Sequence, residues 1–133
     1  MTRRSRLNVV DSSAWLAYLA DESGAAHFSA AIEDVENLVV PSVCILEVFK
    51  VVCRQRGDGD ALQAAALMQQ GHVIDLDATL ALVAAKAAID HKLPLADSIV
   101  YATGIAVDGV VWTQDEDFDG LPDVKFFAKS KRP

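Results

Sequence analysis

The chain has 133 residues, 52% of them apolar, with mean hydropathy +0.23 and a formal charge of −7. That length suits one domain spanning residues 1–133, which buries about two thirds of its unfolded surface, and leaves no room for a second. No stretch approaches the roughly 18 apolar residues of a membrane span, and the segment before Asp11 is too short of apolar residues for a signal-peptide core, so a cytoplasmic protein is expected.

Charge is unevenly spread. Arg3, Arg4 and Arg6 lie in a basic N-terminal end (1–6), and Lys125, Lys129, Lys131 and Arg132 in a basic C-terminal end (125–133), whereas residues 7–124 carry five cations against all 19 acids. This excludes a protein that grips nucleic acid with a broad basic face. The high apolar content predicts a surface covered by a partner or a second copy. Cys44 and Cys53 lie nine residues apart on one expected helix, about 13 Å along its axis, beyond the roughly 7 Å that a disulfide spans. His27, His72 and His91 show no ligand spacing.

In chain order, residues 7–10 form a short apolar strand, and Ser12 and Ser13 are the expected caps of a helix over 14–19. A helix over 25–36 precedes a strand at 38–40, and Pro41-Ser42 opens a helix over 43–55 that is apolar nearly all round and therefore expected to be buried on several sides. Asp60 is expected to cap a helix to about residue 70, residues 72–74 a strand, and Asp77 to cap a helix over 78–91. Pro94 opens a helix over 95–107. A strand at 110–112, an acidic loop and an edge strand at 124–127 complete the chain. Short apolar strands alternating with helices predict a parallel α/β sheet with its ligand crevice at the strands' carboxyl ends.

Four acids interrupt apolar segments: Asp11 in LNVVDSSAWL, Glu47 in VCILEVFKVVC, Asp97 in LPLADSIVYA and Asp115 in VVWTQDEDF. A carboxylate beside apolar surface loses hydration unless a positive charge compensates, so several of them point to a shared hard cation, Mg²⁺ or Mn²⁺, with oxygen ligands. Asp11 and Asp115 directly follow expected strands, and Glu47 and Asp97 lie early in helices near the same edge, so the four can converge. Each also has a structural reading: a turn residue for Asp11, a helix-dipole partner for Asp97, an ion pair with Lys50 for Glu47, a solvated turn for residues 115–119.

These segments resemble the PIN-domain endoribonucleases, in particular VapC-type toxins of toxin–antitoxin pairs. The resemblance rests on VVDSSAWL, PSVCILEV, LPLADSIVYAT and the Thr-x-Asp-x-Asp-Phe form of VVWTQDEDF. It implies a PIN-like three-layer α/β/α sandwich around a central, mostly parallel sheet, and hydrolysis of RNA phosphodiester bonds dependent on Mg²⁺ or Mn²⁺. Asp11, Glu47, Asp97 and Asp115 are then the catalytic and metal-holding acids, Asp117 a further ligand, and the hydroxyls of Ser12 and Thr113 orient Asp11 and Asp115. It also implies a cognate antitoxin and a toxin homodimer. Glu116, between the two loop aspartates, departs from the pattern by adding charge that repels phosphate.

Competing readings are weighed on residues. Residues 115–120 fit the first six positions of an EF-hand calcium loop, but position twelve is Phe126 and no helices are expected to flank it. A haloacid-dehalogenase phosphatase needs an aspartate where Ser13 stands, and a response regulator lacks its late lysine. A non-catalytic PIN-like binding or regulatory subunit is the remaining alternative, and the intact set of acids counts against it.

Overall fold

A computed structural model describes residues 6–129; Arg3, Arg4, Lys131 and Arg132 of the expected basic ends lie outside the described residues. Five strands, β1 (Asn8–Val10), β2 (Leu38–Pro41), β3 (His72–Ile74), β4 (Val110–Thr113) and β5 (Val124–Phe126), form one sheet in the order β3-β2-β1-β4-β5, and every pairing is parallel. Six α-helices connect them: α1 (Ser12–Leu19), α2 (Ala25–Glu33), α3 (Ser42–Arg56), α4 (Asp58–Met68), α5 (Ala78–His91) and α6 (Leu95–Val107). The parallel α/β architecture expected from the alternation of short strands and helices is thus what forms.

Valine-rich strands buried on both faces explain the layering. Val9, Val10, Val39, Val40 and Val111 are almost fully buried, together with Trp15 and Phe28 on one face's helices, Leu38 and Phe118. Alternation along β4 sends Val111 toward α6 and Trp112 to the opposite face, where Phe127 packs edge-on to Phe28 of α2. Gly104 of α6 lies where an added Cβ would approach Val111 Cγ2 to 3.0 Å, so this helix sits close on the sheet. Residues 98–104 of α6 are all buried, and α5 packs outside it through a small second cluster of Leu80, Ala84, Ile99 and Ala102.

Several local expectations need correction. Asp11, not Ser12 or Ser13, caps α1, because its extended backbone lets the side chain accept from Ala14 N while both serines already lie in the helix. Helix α4 begins at Asp58, so Asp60 sits in its first turn rather than at its cap. Helix α2 stops at Glu33 and a separate 3₁₀ turn, Val35–Asn37, leads into β2. Asp77 does cap α5, accepting from Leu80 N at 2.8 Å. Helix α3 buries only Cys44 and Val48 fully, and Leu46 is 63% exposed; it packs against α4 across Gly57 (φ 92°), its other apolar residues are half-buried, and its C-terminal half lines an open cleft. Both cysteines are free thiols.

Candidate metal centre

The carboxyl edge of the sheet gathers acids from three distant parts of the chain. Asp11 leaves β1 as the cap of α1, Asp97 occupies the first turn of α6, and Asp115 follows β4. One carboxylate oxygen from each lies within 4.8 Å of the others. Parallel strands make this possible, because β1 and β4 are neighbours with Val10 opposite Trp112 and so end side by side.

Asp11 is buried and held from several sides. Its Oδ1 accepts from Ser13 Oγ at 2.7 Å and from Ala14 N at 3.1 Å, and its Oδ2 accepts from Thr113 Oγ1 at 2.8 Å. The Thr113 hydroxyl in turn accepts from Asp115 N at 2.9 Å, so one buried hydroxyl fixes two of the acids. Asp115 caps the 3₁₀ turn Glu116–Phe118 by accepting from Asp117 N, and Phe118 anchors that turn in the core.

Electrostatics show what the cluster lacks. Burial, opposed by the Ser13 and Thr113 hydrogen bonds, pushes Asp11 up to about 6. Asp97 rises to about 8, first through desolvation and then through the negative charges of Asp115 and Asp11. Among the described residues no lysine or arginine forms an ion pair with these acids. Three converging carboxylates with only oxygen donors and uncompensated charge fit a hard divalent cation, whose affinity for such ligands matches the site.

The remaining residues singled out from sequence fall around this triad. Glu47 stands outside the group of three, and its Oε1 accepts from Ser12 Oγ at 2.7 Å. Ser12 therefore orients Glu47 rather than Asp11, and no Glu47–Lys50 ion pair exists among the described residues. Asp117 is exposed and does not join the triad, though its carboxyl adds to the rise of Asp97. The residues that hold Asp11 and its neighbour include two that sequence reasoning missed: Ser13, and buried Gln114, whose backbone N–H and Nε2 donate to Ser13 Oγ and Ser13 O. The overlooked clue was Ser13's position two residues past an aspartate that caps a helix. The 115–120 loop is flanked by β4 and β5, not by helices, so the EF-hand reading fails.

An acidic triad at the carboxyl edge of a parallel α/β sheet is the class of centre that the geometry defines. Residues 9–124 match the PIN-domain family model, and the chain belongs to the PIN-domain family. No curated protein sequence matches it. Among solved structures, a chain of a toxin–antitoxin complex from Klebsiella pneumoniae superposes with a TM-score of 0.75 at 18% identity, over 90% of this chain and 95% of that one. VapC20 of Mycobacterium tuberculosis, a sarcin–ricin loop cleaving toxin, gives 0.73 at 18% identity over 88% and 96%. DNA-bound VapBC from Salmonella typhimurium gives 0.69 at 11% over 93% and 98%. At these identities the likeness is one of fold, and it agrees with the PIN-like sandwich that the sequence motifs implied.

Proposed function

We propose that this chain is a divalent-metal-dependent endoribonuclease, the toxin of a cytoplasmic toxin–antitoxin pair. The carrying observation is the trio of oxygens from Asp11, Asp97 and Asp115 within 4.8 Å, with no cation paired to them among the described residues. Asp11, Asp97 and Asp115 hold Mg²⁺ or Mn²⁺, with exposed Asp117 at the rim. A bound divalent ion supplies a more acidic water and neutralises charge building on a phosphodiester.

The chain's own groups do the rest. Thr113 and Ser13 keep the Asp11 carboxylate oriented, and Ser12 holds one oxygen of Glu47, leaving its other oxygen to accept a proton from a water approaching phosphorus. Asp97, raised to about 8 by burial and then by its acidic neighbours, is mostly protonated at neutral pH until positive charge joins the site, which ties binding of the ion to loss of its proton. Glu116 is exposed beside the site and repels loosely placed phosphate, narrowing the RNAs that can settle.

Support for a protein partner is the exposed apolar surface around the site. Leu46 is 63% and Leu95 80% exposed, one residue from Glu47 and two from Asp97, so an antitoxin or a second toxin copy seated there shields both site and apolar surface. The Klebsiella pneumoniae neighbour in fold is part of a toxin–antitoxin complex. No helix among the described residues is long and apolar enough to cross a membrane.

The test is RNA cleavage by the wild type and by Asp11→Asn, Asp97→Asn and Asp115→Asn, with and without EDTA. Cleavage that persists in all three variants, or in EDTA, ends the proposal. Growth arrest on inducing the gene without its neighbour, relieved by co-expressing that neighbour, tests the toxin role.

A further inference from the structure

Away from the acids, four side chains, from α2, β4, β5 and the residue just past β5, stack in one column. The His27 and Phe127 rings lie 4.5 Å apart, tilted by only 13°, and Phe127 and Trp112 lie 6.1 Å apart, tilted by 19°. Lys125 Nζ stands 4.4 Å from the Trp112 ring centroid. The order is therefore ammonium, indole, phenyl, imidazole. Strand register explains it: Trp112 pairs with Lys125 across β4 and β5, and Phe127, two residues on, shares their face. Trp112 Nε1 donates to Asn8 Oδ1, which fixes the indole plane.

The column stands at the margin of the core: Trp112 and Phe127 are half-buried against it, and His27 and Lys125 are exposed. It also adjoins the acids. Trp112 immediately precedes Thr113, whose hydroxyl holds Asp11 and Asp115, and Phe127 N donates to Thr113 O. Asp115 lies three positions after Trp112, a span of at most about 10 Å.

We propose that this column is a stacking platform for unpaired nucleobases, leading single-stranded RNA into the acidic site; the proposal rests on the ribonuclease reading above. Rings held parallel and open at one end offer a face to any base, and stacking of this kind is sequence-tolerant. Charge selects the occupant. The segment from residue 7 to 124 carries five cations and 19 acids, and Lys125 with Lys129 brings positive charge to the platform end of the sheet. A polyanion on the platform is held by the Lys125 ammonium at the column's end. An acidic base-paired helix lacks the free base faces that the rings require.

The experiment separates binding from cleavage. Affinity of the full-length chain for a short fluorescent polyuridylate is measured in EDTA, and kcat and KM for the same oligonucleotide in Mg²⁺. His27→Ala combined with Lys125→Gln is expected to raise both Kd and KM about tenfold with kcat unchanged, His27→Phe to keep wild-type affinity because a ring remains, and a duplex of the same sequence to compete poorly. Unchanged Kd and KM in the double variant, or a duplex that competes as well as the single strand, overturns the platform. So does a double variant that keeps its RNA affinity but releases the partner protein, since the face then serves that protein. A chain that binds RNA through these residues yet never cleaves it removes the nuclease reading and leaves the platform standing. Cleavage with a KM indifferent to the double variant does the reverse.

Discussion

Thr113 Oγ1 donates to Asp11 Oδ2 at 2.8 Å while accepting from Asp115 N at 2.9 Å. A hydroxyl has one proton, so this arrangement is directional: the proton goes to the buried carboxylate and the lone pair to the loop amide.

Thr113→Val keeps the shape of the side chain and removes both bonds. Affinity for Mg²⁺ or Mn²⁺ is expected to fall about 10- to 100-fold, the usual cost of losing a group that orients a ligand. The metal-free fold should lose roughly 1–3 kcal/mol through the stranded Asp115 amide and weakened Asp11. Isothermal titration with Mn²⁺ and urea unfolding measure the two effects; an unaltered Mn²⁺ affinity would show that the hydroxyl does not position the acids.

The raised acids set a pH dependence with a definite sign. Asp11 and Asp97 stand above their usual 3.8, at about 6 and about 8, so the folded chain holds more protons than the unfolded one in this range. Stability is fully present below about pH 4 and is lost as pH rises through those two values, with about 3 kcal/mol at stake for Asp11. In EDTA the Tm should therefore drop by about 5 °C or more between pH 5 and pH 8. Asp97→Asn should raise the Tm at pH 8 and flatten the profile. Excess Mn²⁺ should reverse the trend, stabilising more at pH 8 than at pH 5. A metal-free Tm that climbs over this interval contradicts the electrostatics described here.

Glu47 and the triad should separate experimentally. Because Glu47 lies outside the three converging oxygens and bonds Ser12, Glu47→Gln is expected to keep Mn²⁺ affinity within a few-fold while cleavage falls by about 10²- to 10⁴-fold, the range for lost acid–base assistance. Asp97→Asn should lose both. Equal loss of ion binding in the two variants would place Glu47 among the ligands.

Gly109 joins α6 to β4 where a Cβ would come within 2.8 Å of Leu7 O, a backbone atom that cannot swing aside. Gly109→Ala should cost about 1–3 kcal/mol, seen as a lower urea midpoint at unchanged slope. Gly59→Ala, in α4 with nothing near its Cβ, is the control and should be neutral or mildly stabilising.

Much of the fold was legible because its cues are local. Valine runs at residues 9–10 and 39–40 marked buried strands, Asp77 marked a helix start and Pro94 another, and each reappears in place. The cap of α1 was misread because Asp, Ser and Ser in succession are all good caps, and only the backbone angles of Asp11 decide among them. Burial of α3 was overestimated for a related reason: an apolar helix can face a cleft as well as a core, and its sequence does not distinguish the two. At the site, the acids stood out as charges in apolar segments. Which of them meet depends on helix placement to within a few ångströms, and Glu47's exclusion from the trio, like Ser12's turn toward it, is set by how α3 docks against α1. Ser13 and Gln114 carried no charge to betray them.

The oxygens of Asp11 and Asp115 sit just past the ends of neighbouring strands but more than a hundred positions apart along the polymer. Whatever cation settles there acts as a clasp across nearly the entire chain, closing a very long loop that an unfolded molecule seldom closes by itself. On the metal-dependent reading proposed above, Mg²⁺ is a folding cofactor as well as a chemical one: its removal is expected to lower the fraction of intact molecules along with cleavage and to leave the slackened remainder open to proteolysis.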